Sequence, residues 1–375
     1  MSVIYLDYNR TTPLAPSVFE AMRPYWSTHF MLPGQEHPHA QAVGEALENA
    51  REGLAMLVGC EPFELVFTGG GTESNNLAIL GTLGRKEPGH VLVSALEHDS
   101  VQGAAASLAM SGWEIETVPS GENGVVDPEY LGSRIRDQTR LACIQLANPV
   151  LGTLQPVREI ADICHNRGVS VHCDAAQAFG KLPVNVCQLR ADTVAISGHK
   201  FYGPKGSGAI YVRRGLHLAP ISFGEPREMG LRPGAENVPA CIGLGAAASL
   251  AAKCSADASE TLSELRNRLT KGLLGTVSPA PIFLCEDSPR LPNTVAIEMP
   301  GNAKWIQRSA RKLAMATARS DSPPDEMTRT LSAIGRSKSQ IGRTLGISLG
   351  WTTSHDQIDR AVELLADAWD GVGAN

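Results

Sequence analysis

Apolar residues recur along the middle of the chain with two periods, one typical of helices and one typical of strands. Residues 41–58 predict a helix because apolar side chains recur at helical spacing, at Val43, Ala46, Leu47 and Ala50. Helical patterns also occur at 101–110 and 157–166. Short apolar runs between and around these helices predict strands at 91–95, 114–118, 141–146 and 169–173. This order predicts an α/β sheet with helices on both faces, whose ligands gather at the strand ends.

The C-terminal third of the chain has a different pattern. Its predicted elements are a helix at 259–274, a strand at 294–299 and a closing helix at 355–369. Residues 320–326 are polar and proline-rich, which predicts a surface loop. The sequence therefore predicts a large domain, residues 15–255, and a smaller α+β domain formed by residues 1–14 and 256–375.

Composition narrows the class of protein without identifying it. The chain has 375 residues, of which 43% are apolar, so it can bury a large core. Its formal net charge of -6 provides no basic field for nucleic acid or an anionic membrane. The 8 cysteines are scattered without CxxC spacing, so we expect no metal site. No apolar run is long enough to span a membrane and no secretory signal is evident, so we expect a cytoplasmic protein.

The most informative residue is Lys200, in a glycine-rich run that follows a predicted strand. Another strand-like run ends earlier on Asp174, with Gln177 just beyond it. Each residue alone has an ordinary interpretation, since such a lysine is usually a solvated charge and such an aspartate usually caps a helix or turn. Together they form the pair that a pyridoxal-phosphate (PLP) enzyme needs. The lysine forms a Schiff base with PLP, and the carboxylate keeps the pyridine nitrogen protonated.

Two further features favour a cofactor site. A glycine-rich turn, residues 69–71, lies between an apolar run and a helical stretch, so its backbone N–H groups and Thr72 could bind a phosphate. His98 follows the predicted strand at 91–95. A histidine at this place could stack on an aromatic ring, or could be an ordinary polar residue with satisfied hydrogen bonds.

Short motifs then follow one another over almost the whole chain, at 6–14, 70–76, 97–98, 152–156, 174–177, 199–205, 230–234, 292–294 and 348–350. In these motifs the chain resembles the cysteine desulfurases, a group within class V of the PLP-dependent enzymes. The resemblance implies PLP fold type I, with a mainly parallel seven-stranded sheet in the large domain, and a homodimer. It also implies a small-molecule amino acid or amine as substrate.

The resemblance assigns roles to individual residues of this chain. Lys200 is implied as the Schiff-base lysine, Asp174 as the partner of the pyridine nitrogen, and His98 as the residue that stacks on the ring; these three are the implied catalytic residues. The remaining implied PLP contacts are Gln177 for the ring hydroxyl and Gly71, Thr72, Ser197 and His199 for the phosphate.

The chain departs from the family pattern in its substrate contacts. Desulfurases carry a catalytic cysteine in a loop that here contains Asp321, or Ser320 if the gap is placed differently, and no cysteine follows Cys285. An arginine expected to bind the substrate carboxylate is replaced by Gly346, which argues against an ordinary α-amino acid substrate. Two other expected contacts are replaced as well, an asparagine by Pro149 and an inter-subunit threonine by Ala235.

Three function classes remain open on the sequence. The first is a PLP-dependent enzyme that acts on an amino acid or amine without persulfide chemistry on its own loop. The second is a desulfurase that passes sulfur to an external acceptor such as a thiol. The third is a non-catalytic homologue that acts as a binding partner.

Overall fold

The computed structural model describes residues 3–84, 86–299, 301–319 and 323–370. The strands are β1 (Ile4–Tyr5), β2 (Leu65–Thr68), β3 (His90–Ser94), β4 (Glu114–Val118), β5 (Thr139–Cys143), β6 (Ser170–Asp174), β7 (Thr193–Ser197), β8 (Gly208–Val212), β9 (Ile282–Phe283), β10 (Thr294–Glu298), β11 (Leu313–Ala314), β12 (Ala316–Thr317) and β13 (Thr344–Ser348).

The α-helices are α1 (Pro16–Met22), α2 (Pro38–Val58), α3 (Gly71–Leu83), α4 (Asp99–Ala109), α5 (Pro128–Ser133), α6 (Val157–His165), α7 (Val186–Leu189), α8 (Val238–Thr276), α9 (Ala303–Ser309), α10 (Glu326–Ala333), α11 (Lys338–Ile341) and α12 (His355–Asp370). Single turns of 3₁₀ helix occur at Arg23–Trp26, Pro62–Glu64, Gly198–Lys200 and Glu228–Gly230.

A 7-stranded sheet forms the centre of the molecule, with the strand order β2-β8-β7-β6-β5-β3-β4. Strand β8 runs antiparallel to both of its neighbours, and the other pairs are parallel. Every residue of β3 and β7 is buried, as expected for strands covered on both faces. The predicted α/β fold with a mainly parallel sheet is confirmed.

The predicted boundaries differ from the observed ones mainly at strand and helix ends. The strand predicted at 141–146 ends as a regular strand at Cys143. The N–H groups of Ile144 and Leu146 nevertheless still donate to the carbonyl oxygens of His172 and Asp174. The helix predicted at 259–274 is the second part of α8, which begins at Val238. Its first part is rich in alanine and glycine, so the apolar period that marks an amphipathic helix is weak there.

Helix α8 packs closely against α2 on one face of the central sheet. Gly245 makes this possible, because a Cβ atom at that position would lie 2.6 Å from the Cα atom of Ala50. The main core lies between these helices and the sheet, and includes Leu54, Phe67 and Val194. The packing therefore holds the strands that carry the cavity-lining residues described below.

A second core lies around the smaller sheet, whose antiparallel strands have the order β12-β13-β10-β9. It includes Leu269 of α8, Ile347 of β13 and Leu365 of α12. The N-terminal strand β1 pairs with β11, and Leu6 belongs to the same core. These separate cores support the division into residues 15–255 and residues 1–14 with 256–375, which remains a proposal about domain boundaries.

Within the described ranges, no single helix is long and apolar enough to cross a membrane. The two parts of α8, Val238–Cys254 and Asp257–Thr276, meet that criterion only as a bent pair, and core helices of soluble proteins meet it as well.

Candidate active site

The carboxyl ends of β2, β3, β5, β6 and β7 meet at one edge of the central sheet and open into a cavity of about 1070 Å³. In a sheet of this kind, the residues that follow the strands are brought together at that edge. All of the site residues predicted from the sequence line the cavity, namely Gly71, Thr72, His98, Asp174, Gln177, Ser197, His199 and Lys200. The other wall comes from the N-terminal segment, β13 and the segment before α10.

Lys200 ends the 3₁₀ turn that follows β7, and its amine is held by backbone oxygens. Its Nζ atom donates to the carbonyl oxygens of Asn9 at 2.6 Å and Arg10 at 3.2 Å. Burial lowers the pKa of Lys200, although the carboxylates of Glu326 and Asp174 act in the opposite direction. Burial thus favours the neutral amine, which is the form that can act as a nucleophile.

The carboxylate of Asp174 is oriented by two donors. Its Oδ1 accepts from the N–H of Ala176 at 2.9 Å, and its Oδ2 accepts from Nδ2 of Asn75 at 2.7 Å. Asn75 is oriented in turn by His172, whose Nε2 lies 3.0 Å from the Asn75 Oδ1. Burial lowers the pKa of His172 to about 4, so this imidazole is neutral and can donate one proton to Asn75. No sequence pattern assigns a role to Asn75 or His172.

The glycine-rich turn leads into α3, whose first N–H groups, from Gly71 onward, have no partner among the described residues. Gly70 has φ 140°, a conformation that residues with a side chain rarely adopt. Glu73 stabilises the turn, because its carboxylate accepts a hydrogen bond from the N–H of Gly69 at 2.6 Å. Within the described ranges no side chain caps the helix at Gly70, so the N–H groups of its first turn can bind an anion. A Cβ atom on Gly71 would lie 3.4 Å from the Cβ of Ser197, which shows how closely the two converge.

Two histidines line the cavity with different surroundings. His98 caps α4, and its Nδ1 accepts from the N–H of Ser100 at 3.1 Å, so the neutral ring carries its proton on Nε2. His199 has its Nδ1 3.0 Å from the Thr11 hydroxyl. Burial, followed by the nearby charges of Lys200, Lys205 and Lys181, lowers the pKa of His199 to about 4. His199 is therefore neutral near pH 7.

Asn9 and Lys181 connect the site residues, although no sequence pattern assigns either of them a role. The Asn9 carbonyl oxygen accepts from Gln177 Nε2 at 3.0 Å as well as from Lys200. The Lys181 amine donates to Gln177 Oε1 at 2.7 Å and to Asn9 Oδ1 at 3.0 Å. Burial lowers the pKa of Lys181 well below its usual value. One donor of the Gln177 amide is left for a ligand.

The wall opposite the strand ends includes Glu326, the first residue of α10. Its Oε1 is buried and has no hydrogen-bond partner among the described residues. Burial raises the pKa of Glu326, against the effect of His98 and Lys200. The surface loop predicted at 320–326 is wrong for Glu326, which belongs to a helix and lines the cavity. Ser320 and Asp321, the two candidate positions for the missing cysteine, lie outside the described residues.

Of the three other positions at which an expected family contact is replaced, two line the cavity and one does not. Gly346 lines the cavity, and a Cβ atom there would lie 3.2 Å from the Cβ of Ala316. Pro149 also lines it, and its carbonyl oxygen accepts from Asn9 Nδ2 at 2.8 Å. Ala235 is exposed and is not among the lining residues.

The chemistry of the cavity suits PLP. PLP carries a phosphate, a pyridine nitrogen and an aldehyde. The uncapped first turn of α3, which begins at Gly71 beside Ser197, offers N–H donors for the phosphate. The oriented carboxylate of Asp174 suits the pyridine nitrogen, and the Lys200 amine suits the aldehyde. The residues present therefore fit the cofactor.

Comparison with known sequences gives matches over nearly the full chain. A model of the family "Aminotransferase class-V" matches residues 4–313. Cysteine desulfurase IscS of Methanosarcina thermophila is 35% identical over 370 residues, which cover 97% of this chain and 91% of the relative. Cysteine desulfurase IscS 1 of Archaeoglobus fulgidus is 36% identical over 367 residues, which cover 96% of this chain and 95% of the relative.

Solved structures show the same likeness. A NifS-like protein superposes with a TM-score of 0.91 at 29% identity, over 99% of this chain and 100% of that chain. A structure of SspA in complex with cysteine superposes with a TM-score of 0.81 at 32% identity, over 92% of this chain and 98% of that one. The predicted assignment to PLP fold type I is confirmed.

Proposed function

Because the chain belongs to the cysteine desulfurase group of the class V aminotransferases, which use PLP, we propose that it acts on an amino acid or amine through Lys200 without persulfide chemistry on its own loop. One observation carries this proposal. The half-buried Lys200 amine shares a cavity with the oriented carboxylate of Asp174 and with the uncapped first turn of α3.

Each site residue has a role in this proposal. Lys200 binds the cofactor covalently, Asp174 keeps the pyridine nitrogen protonated, and His98 stacks on the ring. The other contacts are Gln177 to the ring hydroxyl and Gly71, Thr72, Ser197 and His199 to the phosphate. When bound, PLP supplies an electron sink for the electron pair left on the substrate when one of its bonds breaks. Lys200 and the Nε2 of His98 are the groups placed to move a proton within the cavity.

The absence of a thiol supports the proposal that this chain forms no persulfide on its own loop. Among the described residues that line the cavity, none is a cysteine. Cys285 lies elsewhere, with its Sγ 3.5 Å from the Glu122 carbonyl oxygen, and no cysteine follows it in the sequence. A persulfide requires a thiolate to attack the substrate sulfur, and neither a carboxylate such as Asp321 nor a hydroxyl such as Ser320 can replace it.

A second candidate is desulfuration with an external acceptor, and the identity to cysteine desulfurases favours it. In that reaction the acceptor thiol attacks the substrate sulfur, so an S–S bond forms while the C–S bond breaks. The electron pair of the broken bond stays with the carbon, which takes up a proton. Cysteine and the thiol RSH then give alanine and RSSH, with no other oxidant or reductant.

A purely structural role is the least consistent with the site. A half-buried lysine and a buried aspartate in one cavity lose hydration that hydrogen bonds to neutral groups restore only in part. Both Lys200 and Asp174 are nevertheless present, and their partners orient them toward the same space.

The absorption spectrum of the purified protein tests the proposed function. We expect a visible band from cofactor bound to Lys200, and a change in that band with an amino acid or amine from a panel. Sulfide release from cysteine with a reductant, compared with and without an added thiol acceptor, separates the two candidates. A colourless protein that takes up no added PLP would refute both.

A further inference from the structure

The cavity has no cation on the strand where the resemblance places the carboxylate-binding arginine. Gly346 has no side chain, and the space beside it is apolar, since a Cβ atom there would meet Ala316 and Met327 at 3.2 Å and 3.8 Å. A substrate that carries a carboxylate must therefore find a positive charge on another element.

Most cations that line the cavity already have partners. Lys200 donates to backbone oxygens, Arg329 lies 2.6 Å from Asp99, and Arg319 lies 3.7 Å from Asp325. The guanidinium of Arg10, by contrast, makes no hydrogen bond or ion pair within the part of the chain that the structure describes. Arg10 is exposed to solvent, so a ligand that enters from solution can reach it.

Lys205 also lacks a side-chain partner within the described ranges, but it lies toward the other end of the cavity. It directly precedes Gly206 and Ser207, and the Ser207 carbonyl oxygen would lie 3.9 Å from a Cβ atom on Gly70. Lys205 therefore belongs to the end with the glycine turn, where the proposed function places the phosphate.

The backbone of Arg10 is fixed between the reacting amine and β13. Its carbonyl oxygen lies 3.2 Å from Lys200 Nζ, and its N–H donates to the Asp7 carbonyl oxygen at 3.0 Å. The preceding residue, Asn9, donates through its N–H to the Ser348 hydroxyl at 2.9 Å. Ser348 is two residues after Gly346, so both residues face the same side of β13. Arg10 thus lies beside the face of β13 that lacks a cation.

An ordinary interpretation is that Arg10 only neutralises Asp7. The two charges interact, but no ion pair joins them at 4 Å or less. Burial raises the pKa of Asp7, and the more distant charges of Arg10 and Lys200 act in the opposite direction without offsetting it.

We propose that Arg10 binds the carboxylate of the substrate in this chain, which makes the substrate an amino acid rather than a simple amine. This inference rests on the proposed function, because it assigns a substrate class to the same site. Arg10 is a specificity residue in this proposal, and it takes the place of the arginine that is absent at Gly346.

Calorimetric titration of the holoenzyme tests the proposal with two probes, 3-mercaptopropionate and 3-mercaptopropionamide. They differ in charge, and neither has an α-amine that can react with the cofactor. A charge-assisted hydrogen bond predicts that the wild-type protein binds the carboxylate about 10- to 100-fold more tightly than the amide. Arg10→Gln should bind the two alike, with unchanged affinity for the amide, and Arg10→Lys should retain part of the preference.

Two control variants should retain the wild-type preference. Lys205→Gln removes the other unpaired cation of the cavity, and Arg167→Gln removes an exposed arginine that does not line it. The proposal is overturned if the wild-type protein binds both probes equally, if Arg10→Gln keeps the preference, or if Lys205→Gln loses it. Failure of the proposed function would appear separately, as a protein without the visible cofactor band.

Discussion

The Nζ atom of Lys200 lies 2.6 Å from the backbone carbonyl oxygen of Asn9. This hydrogen bond joins the turn after β7 to the N-terminal segment, which also contacts the smaller sheet through Ser348. The proposed reactive amine is therefore held where the central sheet meets the smaller one. Its position depends on both cores of the molecule, although Lys200 itself follows a strand of only one of them.

We expect Lys200→Ala to abolish covalent attachment of PLP, because its amine lies in the cavity and is oriented there by two backbone oxygens. Borohydride reduction followed by peptide mass spectrometry measures this attachment. Lys205→Ala is the matched control, since Lys205 also lines the cavity, and it should keep the adduct. A reduced adduct on Lys181 or another lysine in the Lys200→Ala protein would contradict the assignment.

Asp174→Asn should leave the protein folded but lower turnover at least about tenfold, equivalent to about 1.4 kcal/mol in the activation barrier. A neutral amide cannot keep the pyridine nitrogen protonated. Asparagine also cannot accept from both Ala176 and Asn75, so we expect a loss of about 1 kcal/mol in the free energy of unfolding. Circular dichroism and steady-state kinetics check the two effects, and equal turnover would defeat the proposed role.

The wild-type protein should carry no persulfide after incubation with cysteine. The motivation is the absence of a cysteine after Cys285, together with Asp321 or Ser320 at the expected position. Alkylation followed by mass spectrometry detects a protein-bound persulfide directly. Cys285→Ser should behave like the wild type, because Cys285 does not line the cavity. A persulfide on any cysteine of the chain, formed at the rate of substrate turnover, would show that the proposal is wrong.

His199 predicts a specific pH dependence of stability. Its pKa is lowered from 6.5 to about 4 by burial and by the nearby lysines. At a pH between these two values, His199 is protonated in the unfolded chain but neutral in the native state. The free energy of unfolding therefore decreases as pH falls from 6.5 toward 4. His199→Gln lacks this contribution and should lose less stability across that window. Urea unfolding of the cofactor-free proteins measures the difference, and equal losses would refute the prediction.

We propose a homodimer, as the resemblance implies, in which the segment 230–234 approaches the cofactor of the other subunit. The neighbouring Ala235 is exposed and does not line the cavity of its own chain, which leaves it free for such a contact. Light scattering at micromolar concentration should give twice the chain mass of 39.8 kDa. Ala235→Thr should strengthen PLP binding by about 1 kcal/mol through one added hydrogen bond. A monomer would rule out a shared site.

Much of the fold follows from local pattern. The apolar runs that end near Ser94, Asp174 and Ser197 are strands in the structure, and their order predicts a parallel arrangement with a common carboxyl edge. Because the predicted site residues follow such strands, the sequence could bring them together without knowledge of any contact. The long helix α8 was only partly predicted, because alanine and glycine in its first half carry little amphipathic signal.

The sequence by itself determined which residues to expect in the site, since Gly71, His98, Asp174, Lys200 and the substituted position Gly346 all line the cavity. Only the tertiary structure showed that Asn9 holds the Lys200 amine, that Glu326 enters the cavity, and that the Arg10 guanidinium is left unpaired there among the described residues. The physical reason is the separation along the chain over which each effect acts. Periodicity and turn chemistry act between neighbours, whereas buried polar groups are satisfied by partners such as Asn9 and Lys200, which are distant in the chain and meet only after both cores pack.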